Sequence, residues 1–148
     1  MKYKGSVEIN KSRDVVVKYF QDPEYLGEYQ DGFVSKKVVE GSQGQDGAVS
    51  EMVYKYGKHD MHMTETIKSN RLPDSFEAFY HHKDMDNSML CTFTSLDENR
   101  TRYDYEFEYV RMEWFMPKLI AILFPSVYRK QGEKWMKQFK DFVENQND

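Results

Sequence analysis

The chain has 148 residues, 31% of them charged, a formal net charge of -4 and one cysteine. That length suits one domain with a substantial core, spanning residues 1–148. The lone Cys91 excludes an intramolecular disulfide and a four-cysteine zinc site. Charges of both signs are interspersed, so there is no electrostatic footprint for nucleic acid. Aromatics make up 16% of the chain, and there are nine methionines. Large rings and flexible Met side chains either fill a core or line an adaptable pocket.

The N-terminus, MKYKGSVEIN, lacks the apolar core of a signal peptide. The longest apolar cluster, Leu119 to Phe124, is too short to span a bilayer. The expectation is a cytoplasmic protein without stable membrane insertion.

Tyr3 to Ile9 alternates in polarity and reads as a strand. Asn10 or Ser12 then caps a helix carrying Val15, Val16, Tyr19 and Phe20 at helical spacing. Gln21-Asp22-Pro23 ends it, because the residue before proline is driven out of the helical region. Glu24 to Tyr29 reads as a second short helix, and Asp31-Gly32 as a turn. Strands follow at regular spacing: Phe33 to Glu40, Ala48 to Tyr56, His59 to Ser69, Ser75 to His82, Ser88 to Leu96 and Thr101 to Val110. Their connections are a glycine-rich loop over Gly41 to Gly47, then turns at Gly57-Lys58, Asn70 to Asp74, Asp84 to Asn87 and Asp97 to Asn99. Short turns between such strands indicate an antiparallel meander.

The last strand puts Tyr103, Tyr105, Phe107 and Tyr109 on one face and Arg102, Asp104, Glu106 and Glu108 on the other. The aromatic face needs a cover. The following segment supplies it, with Leu119, Leu123, Val127, Trp135, Phe139 and Val143 recurring at helical spacing. Pro117 suits a first helical turn. Pro125 predicts a kink or break, and Gly132 a second weak point. The stretch Phe115 to Phe124 also admits a membrane-surface reading. Its polar complement is thin, and a core helix gripped by the sheet explains it better.

This order of elements resembles the helix-grip fold of the START-like (SRPBCC) superfamily across essentially the whole chain. The resemblance rests on that order and on three stretches: Met63 to Tyr80 (MTETIKSNRLPDSFEAFY), Leu96 to Tyr109 (LDENRTRYDYEFEY) and Phe115 to Pro125 (FMPKLIAILFP). It implies an α+β fold in which a curved antiparallel sheet of about seven strands wraps a long C-terminal helix, with two short helices after the first strand. It also implies a cavity between sheet and helix. Members bind lipids, sterols, polyketides or plant hormones, and some catalyse cyclisation or dehydration.

If the Leu72-Pro73 turn centres its hairpin, Glu65 lies opposite Tyr80 and Met63 opposite His82. The expected concave set then includes Met52, Tyr54, Tyr56, Met61, Met63, Glu65, Ile67, Phe76, Ala78, Tyr80 and His82. It continues through Met89, Cys91, Phe93, Tyr103, Tyr105, Phe107 and Tyr109. Leu123 and Val127 face it from the helix. Glu65 is the informative member, since a carboxylate on an apolar face must be paired, hydrogen-bonded or protonated. With Tyr80 and His82 it forms a candidate acid/base or ligand-orienting set. A structural bond to a tyrosine hydroxyl, or a bulge turning Glu65 outward, is the plainer account of the residue.

Other chemistries are weaker. His59 and His62 point to opposite faces of one strand. His62 and His81 share an outer face, but no carboxylate or cysteine completes a closed set, so neither metal nor cofactor is expected. Nothing around Cys91 suggests an activated thiolate, and it reads as a small buried hydrophobe. Three function classes follow. The first is a carrier or sensor for a hydrophobic small molecule or lipid, as monomer or homodimer. The second is a cyclase, dehydrase or isomerase acting on a polyketide-like or other apolar substrate. The third is a protein-interaction module like the Hsp90-activator relatives of the superfamily.

Overall fold

A computed structural model describes residues 1–113 and 125–148, with the side chains of Pro125 and Val127 outside that description. The expected helical stretch from Phe115 to Phe124, including the candidate Leu123, lies outside the described residues, as does the side chain of the candidate Val127. The described elements run from β1 (Lys2–Ile9) to α1 (Arg13–Gln21), a 3-10 turn over Pro23–Tyr25 and α2 (Leu26–Tyr29). Then come β2 (Phe33–Glu40), β3 (Val49–Tyr56), β4 (His59–Arg71) and β5 (Ser75–His82). β6 (Met85–Asp97), β7 (Arg100–Met112) and α3 (Pro125–Glu144) complete the series.

The strands form one antiparallel sheet in the order β1-β7-β6-β5-β4-β3-β2. The meander runs from β2 to β7, and β1 closes on β7. The chain is therefore α+β, with a curved seven-stranded sheet and a C-terminal helix. Register shifts at Ile67/Ser69, Asp86/Asn87 and Ser95/Asp97 add local twist and bend to the long strands.

Local chemistry explains the helical insert. The Ser12 hydroxyl accepts from the Val15 amide at 3.4 Å and starts α1. Asp22 leaves the helical region before Pro23, and its carboxylate accepts from the Glu24 amide at 3.0 Å, opening the 3-10 turn. Val16, Val17 and Tyr19 are buried on one face of α1. They join Met136, Phe139 and Val143 of α3 and Phe93, Tyr103 and Tyr105 of the sheet in the main core. Ala48, Ile67, Phe76 and Ala78 form a second core under β3 to β5.

Two expectations need correction. The turn foreseen at Asp84 to Asn87 is shorter, and β6 begins at Met85. The polar Asp86 stays in the strand because Arg111 and His81 hold its carboxylate. The bulge that would have turned Glu65 outward sits beyond it, at Ile67/Ser69, and Glu65 keeps its register opposite Tyr80. None of the described helices is long and apolar enough to cross a membrane.

Candidate functional site

A cavity of about 510 Å³ lies between the concave sheet face and the helices. The register shows how the strands build its floor. Ile67, Ala78, Met89 and Phe107 pair across β4 to β7 as an apolar row. Two residues along each strand, Ser50, Glu65, Tyr80, Asn87 and Tyr109 pair across β3 to β7. That second row is polar from end to end. Met52 and Met63 pair on its far side. Phe20 of α1, Leu26 and Tyr29 of α2, and Trp135, Met136 and Phe139 of α3 supply the opposite wall.

Glu65 is 4% exposed, and both its carboxylate oxygens are engaged. Lys36 Nζ donates to Oε1 at 2.8 Å, and the Tyr80 hydroxyl donates to Oε2 at 2.7 Å. Lys36 pairs with Met52, and Glu65 with Ser50, so the lysine side chain crosses β3 diagonally. The small, buried Ser50 leaves it room. Burial first, and the Glu65 carboxylate second, push the Tyr80 phenol well above its usual value. A second polar contact lies nearby, where the Tyr54 hydroxyl donates to Gln30 Oε1 at 2.6 Å. Burial raises the phenols of Tyr54 and Tyr29, and pushes Tyr109 up to about 12.

Several polar groups on this wall have no side-chain hydrogen bond among the described residues, the hydroxyls of Tyr29 and Tyr109 among them. The Tyr105 hydroxyl is another, on a residue 2% exposed. The Asn87 side-chain amide is a further one, on a residue 9% exposed.

The candidates from the sequence fall into three groups. Met52, Tyr54, Met63, Glu65 and Tyr80 line the cavity, as do Tyr103, Tyr105 and Phe107. Tyr56, 52% exposed, also touches it. Phe93 is packed beneath, stacked on Tyr103 with ring centroids 4.8 Å apart. Cys91 is buried with its Sγ 3.2 Å from the Tyr103 hydroxyl, and burial pushes its thiol up to about 12. His82 is not in the wall. It ends β5, and its Nδ1 accepts from the Asp84 amide at 3.2 Å, fastening the hairpin. Lys36 thus stands where His82 was expected, beside Glu65 and Tyr80. His62 and His81 are exposed on the outer face, and among the described residues no three metal-ligating side chains come together.

The sequence reading missed Lys36 and Asn87. The demand that a buried Glu65 be paired pointed to a cation on the concave side of β2, and Lys36 was the available signal. Asn87 was hidden by its own chemistry, since Asp-Met-Asp-Asn reads as a turn.

No family model matches this chain, and no curated protein matches it by sequence. Solved structures do match in fold. A conserved protein from Geobacillus kaustophilus is 12% identical, with a TM-score of 0.78, over 97% of this chain and 95% of that one. The Zhui aromatase/cyclase from Streptomyces sp. R1128 is 12% identical, with a TM-score of 0.76, over 97% and 93%. Norcoclaurine synthase from Thalictrum flavum, in complex with dopamine and hydroxybenzaldehyde, is 12% identical, with a TM-score of 0.69, over 100% and 89%.

Proposed function

We propose that this chain, whose fold is the START-like helix grip, binds a hydrophobic small molecule between its sheet and its C-terminal helix, as a carrier or sensor. The carrying observation is the cavity of about 510 Å³ walled by Met, Phe, Tyr and Trp side chains. That size falls in the range of small-molecule sites, roughly 300–1,000 Å³. Flexible Met side chains on β3, β4 and β6 suit the wall of an adaptable site. A synthase of similar fold holds dopamine and hydroxybenzaldehyde, which supports small-molecule binding and is neutral between a carrier and an enzyme.

The polar groups favour holding over turnover. Both Glu65 oxygens are engaged, so neither stands free as a base. The Tyr80 phenol is raised, which makes it a poor acid near neutrality. The Cys91 thiol is buried and raised, which makes it a poor nucleophile.

Native mass spectrometry of the purified protein, with organic extraction, tests this. One bound apolar molecule per chain, recovered chemically unchanged after incubation, is the expected result. An empty protein that also fails to bind apolar dyes at one site per chain would overturn the reading. Chemical conversion of the recovered molecule by the protein would replace it with an enzymatic one.

A further inference from the structure

The polar row does not bond itself fully, and what it leaves over has a definite chemistry. Tyr80 donates its only hydroxyl proton to Glu65, so its oxygen keeps capacity to accept. Asn87 sits directly across from Tyr80 in the β5–β6 ladder, with both side chains on the cavity floor. Directly opposed side chains start about 5 Å apart at Cβ, so the two side chains belong to one stretch of the cavity floor that a single ligand can cover. Asn87 is 9% exposed, and its side-chain amide, which lines the cavity, carries two donors and an acceptor without partners among the described residues. Once a ligand displaces water there, an unmatched amide is costly, so it marks where a ligand's polar atom fits.

We infer that Tyr80 and Asn87 recognise a neutral hydroxyl group on an otherwise apolar ligand. The inference rests on the cavity-binding reading and specifies its ligand class. The ligand hydroxyl would donate to the Tyr80 oxygen and accept from Asn87 Nδ2. An ether or ketone oxygen can only accept, so it leaves the Tyr80 side unmatched. An ionised group is disfavoured because Lys36 already neutralises Glu65, and the row holds no uncompensated charge. The flanking row of Ile67, Ala78, Met89 and Phe107 is apolar and suits the apolar body of the ligand.

The placement of Asn87 is itself maintained. A register shift between Asp86 and Asn87 breaks the β6–β7 ladder there. Arg111 spans it, with Nε donating to Asp86 Oδ2 at 2.8 Å and Nη2 to the His82 carbonyl at 2.6 Å. The extra residue at the shift is Val110 of β7, which brings Arg111 opposite Asp86, while plain alternation along β6 keeps Asn87 on the cavity side.

The test uses 4-phenylphenol, its methyl ether and biphenyl, titrated against the intact protein by calorimetry. The expected result is that the phenol binds roughly tenfold or more tightly than the ether, the size of one well-made hydrogen bond pair. In Asn87→Leu that ratio falls to about two or less. Should Asn87→Leu fail to fold, the assigned side-chain amide signal of Asn87 in wild-type NMR spectra serves instead. It shifts on adding the phenol and stays in place with the ether. Equal affinities for phenol and ether, with biphenyl bound, would overturn the hydroxyl inference and leave the cavity reading intact. No binding by any of the three, or by apolar dyes, would overturn both. A preference that persists in Asn87→Leu, or an amide signal that ignores the phenol, would overturn the role of Asn87.

Discussion

Gly132 of α3 lies against the hydroxyl end of Tyr105 so closely that a β-carbon there would overlap the phenolic oxygen and stand 3.0 Å from Cζ. On the ring's other flank, a β-carbon at Gly5 would overlap Cε1. Gly5 is the direct ladder partner of Tyr105. One tyrosine ring thus fills the gap that two glycines open between β1, β7 and α3. The sequence marks Gly132 as a weak point in a helix. In the fold it is the position that lets the helix close on the sheet.

Gly132→Ala is expected to destabilise. At an unconstrained helical site the change gains about 1 kcal/mol from propensity. Here the added methyl meets the Tyr105 side chain, and overpacking of that kind costs roughly 1–3 kcal/mol. Urea denaturation reads the difference. A midpoint that rises would show that the contact relaxes freely. Combining Gly132→Ala with Tyr105→Phe removes the overlapping oxygen, so the double variant should lose less than Gly132→Ala alone.

Tyr105→Phe by itself is expected to leave stability unchanged or raise it by up to about 1 kcal/mol, because the deleted hydroxyl is buried without a partner among the described residues. Thermal unfolding of wild type and variant checks this. A clear loss of stability would mean the hydroxyl has a partner in solution.

Lys36→Met keeps the length of the side chain and removes its charge, leaving the buried Glu65 carboxylate with Tyr80 alone. Breaking one side of a buried ion pair costs about 3 kcal/mol or more. The further change Glu65→Leu in the same chain should recover most of that loss, since the stranded charge goes too. If the double variant is as unstable as the single one, the lysine stabilises by packing and not by pairing.

These residues also show how far the sequence could be read. The concave face was legible because alternation in β7 separates Tyr103, Tyr105 and Phe107 from Arg102, Asp104 and Glu106 without ambiguity. One hairpin, centred on Leu72-Pro73, then carried that assignment to the Glu65–Tyr80 pair. Lys36 was not assigned because β2 has two register shifts, Phe33/Ser35 and Val38/Glu40, which break the parity count. His82 was misplaced because parity alone ignores position along the strand. It shares a face with Tyr80, but it ends β5 and bonds to its own turn. Asn87 was lost because local composition favours a turn, while the Asp86–Arg111 contact that keeps it in β6 joins residues 25 apart in sequence.

Cys91 should resist alkylation in the folded protein. It is completely buried, and its thiol is pushed up to about 12, first by burial. Very little thiolate is present at pH 8, and what forms is out of reach of reagent. Iodoacetamide at pH 8, followed by intact mass, should give no adduct in buffer and one adduct in denaturant. Fast labelling in buffer would show that β6 opens locally to expose the thiol.

The Asp86 carboxyl is held below its usual range, first by hydrogen bonds from the Arg111 guanidinium and then by the His81 contact. Its folded pKa is therefore lower than its unfolded one, near 4. The folded state binds fewer protons, so the stabilisation is fully present above about pH 4 and drains away as pH falls through the lowered folded value. Asp86→Asn should accordingly cost stability at pH 7. The gap between variant and wild type should narrow progressively in denaturant titrations at pH 4, 3.5 and 3. Comparing the two chains at each pH cancels the other carboxylates that titrate over the same range. A gap that stays constant down to pH 3 would mean Asp86 acts through shape and neutral hydrogen bonding. In that case the clamp holding the bulge beside Asn87 would not depend on its charge.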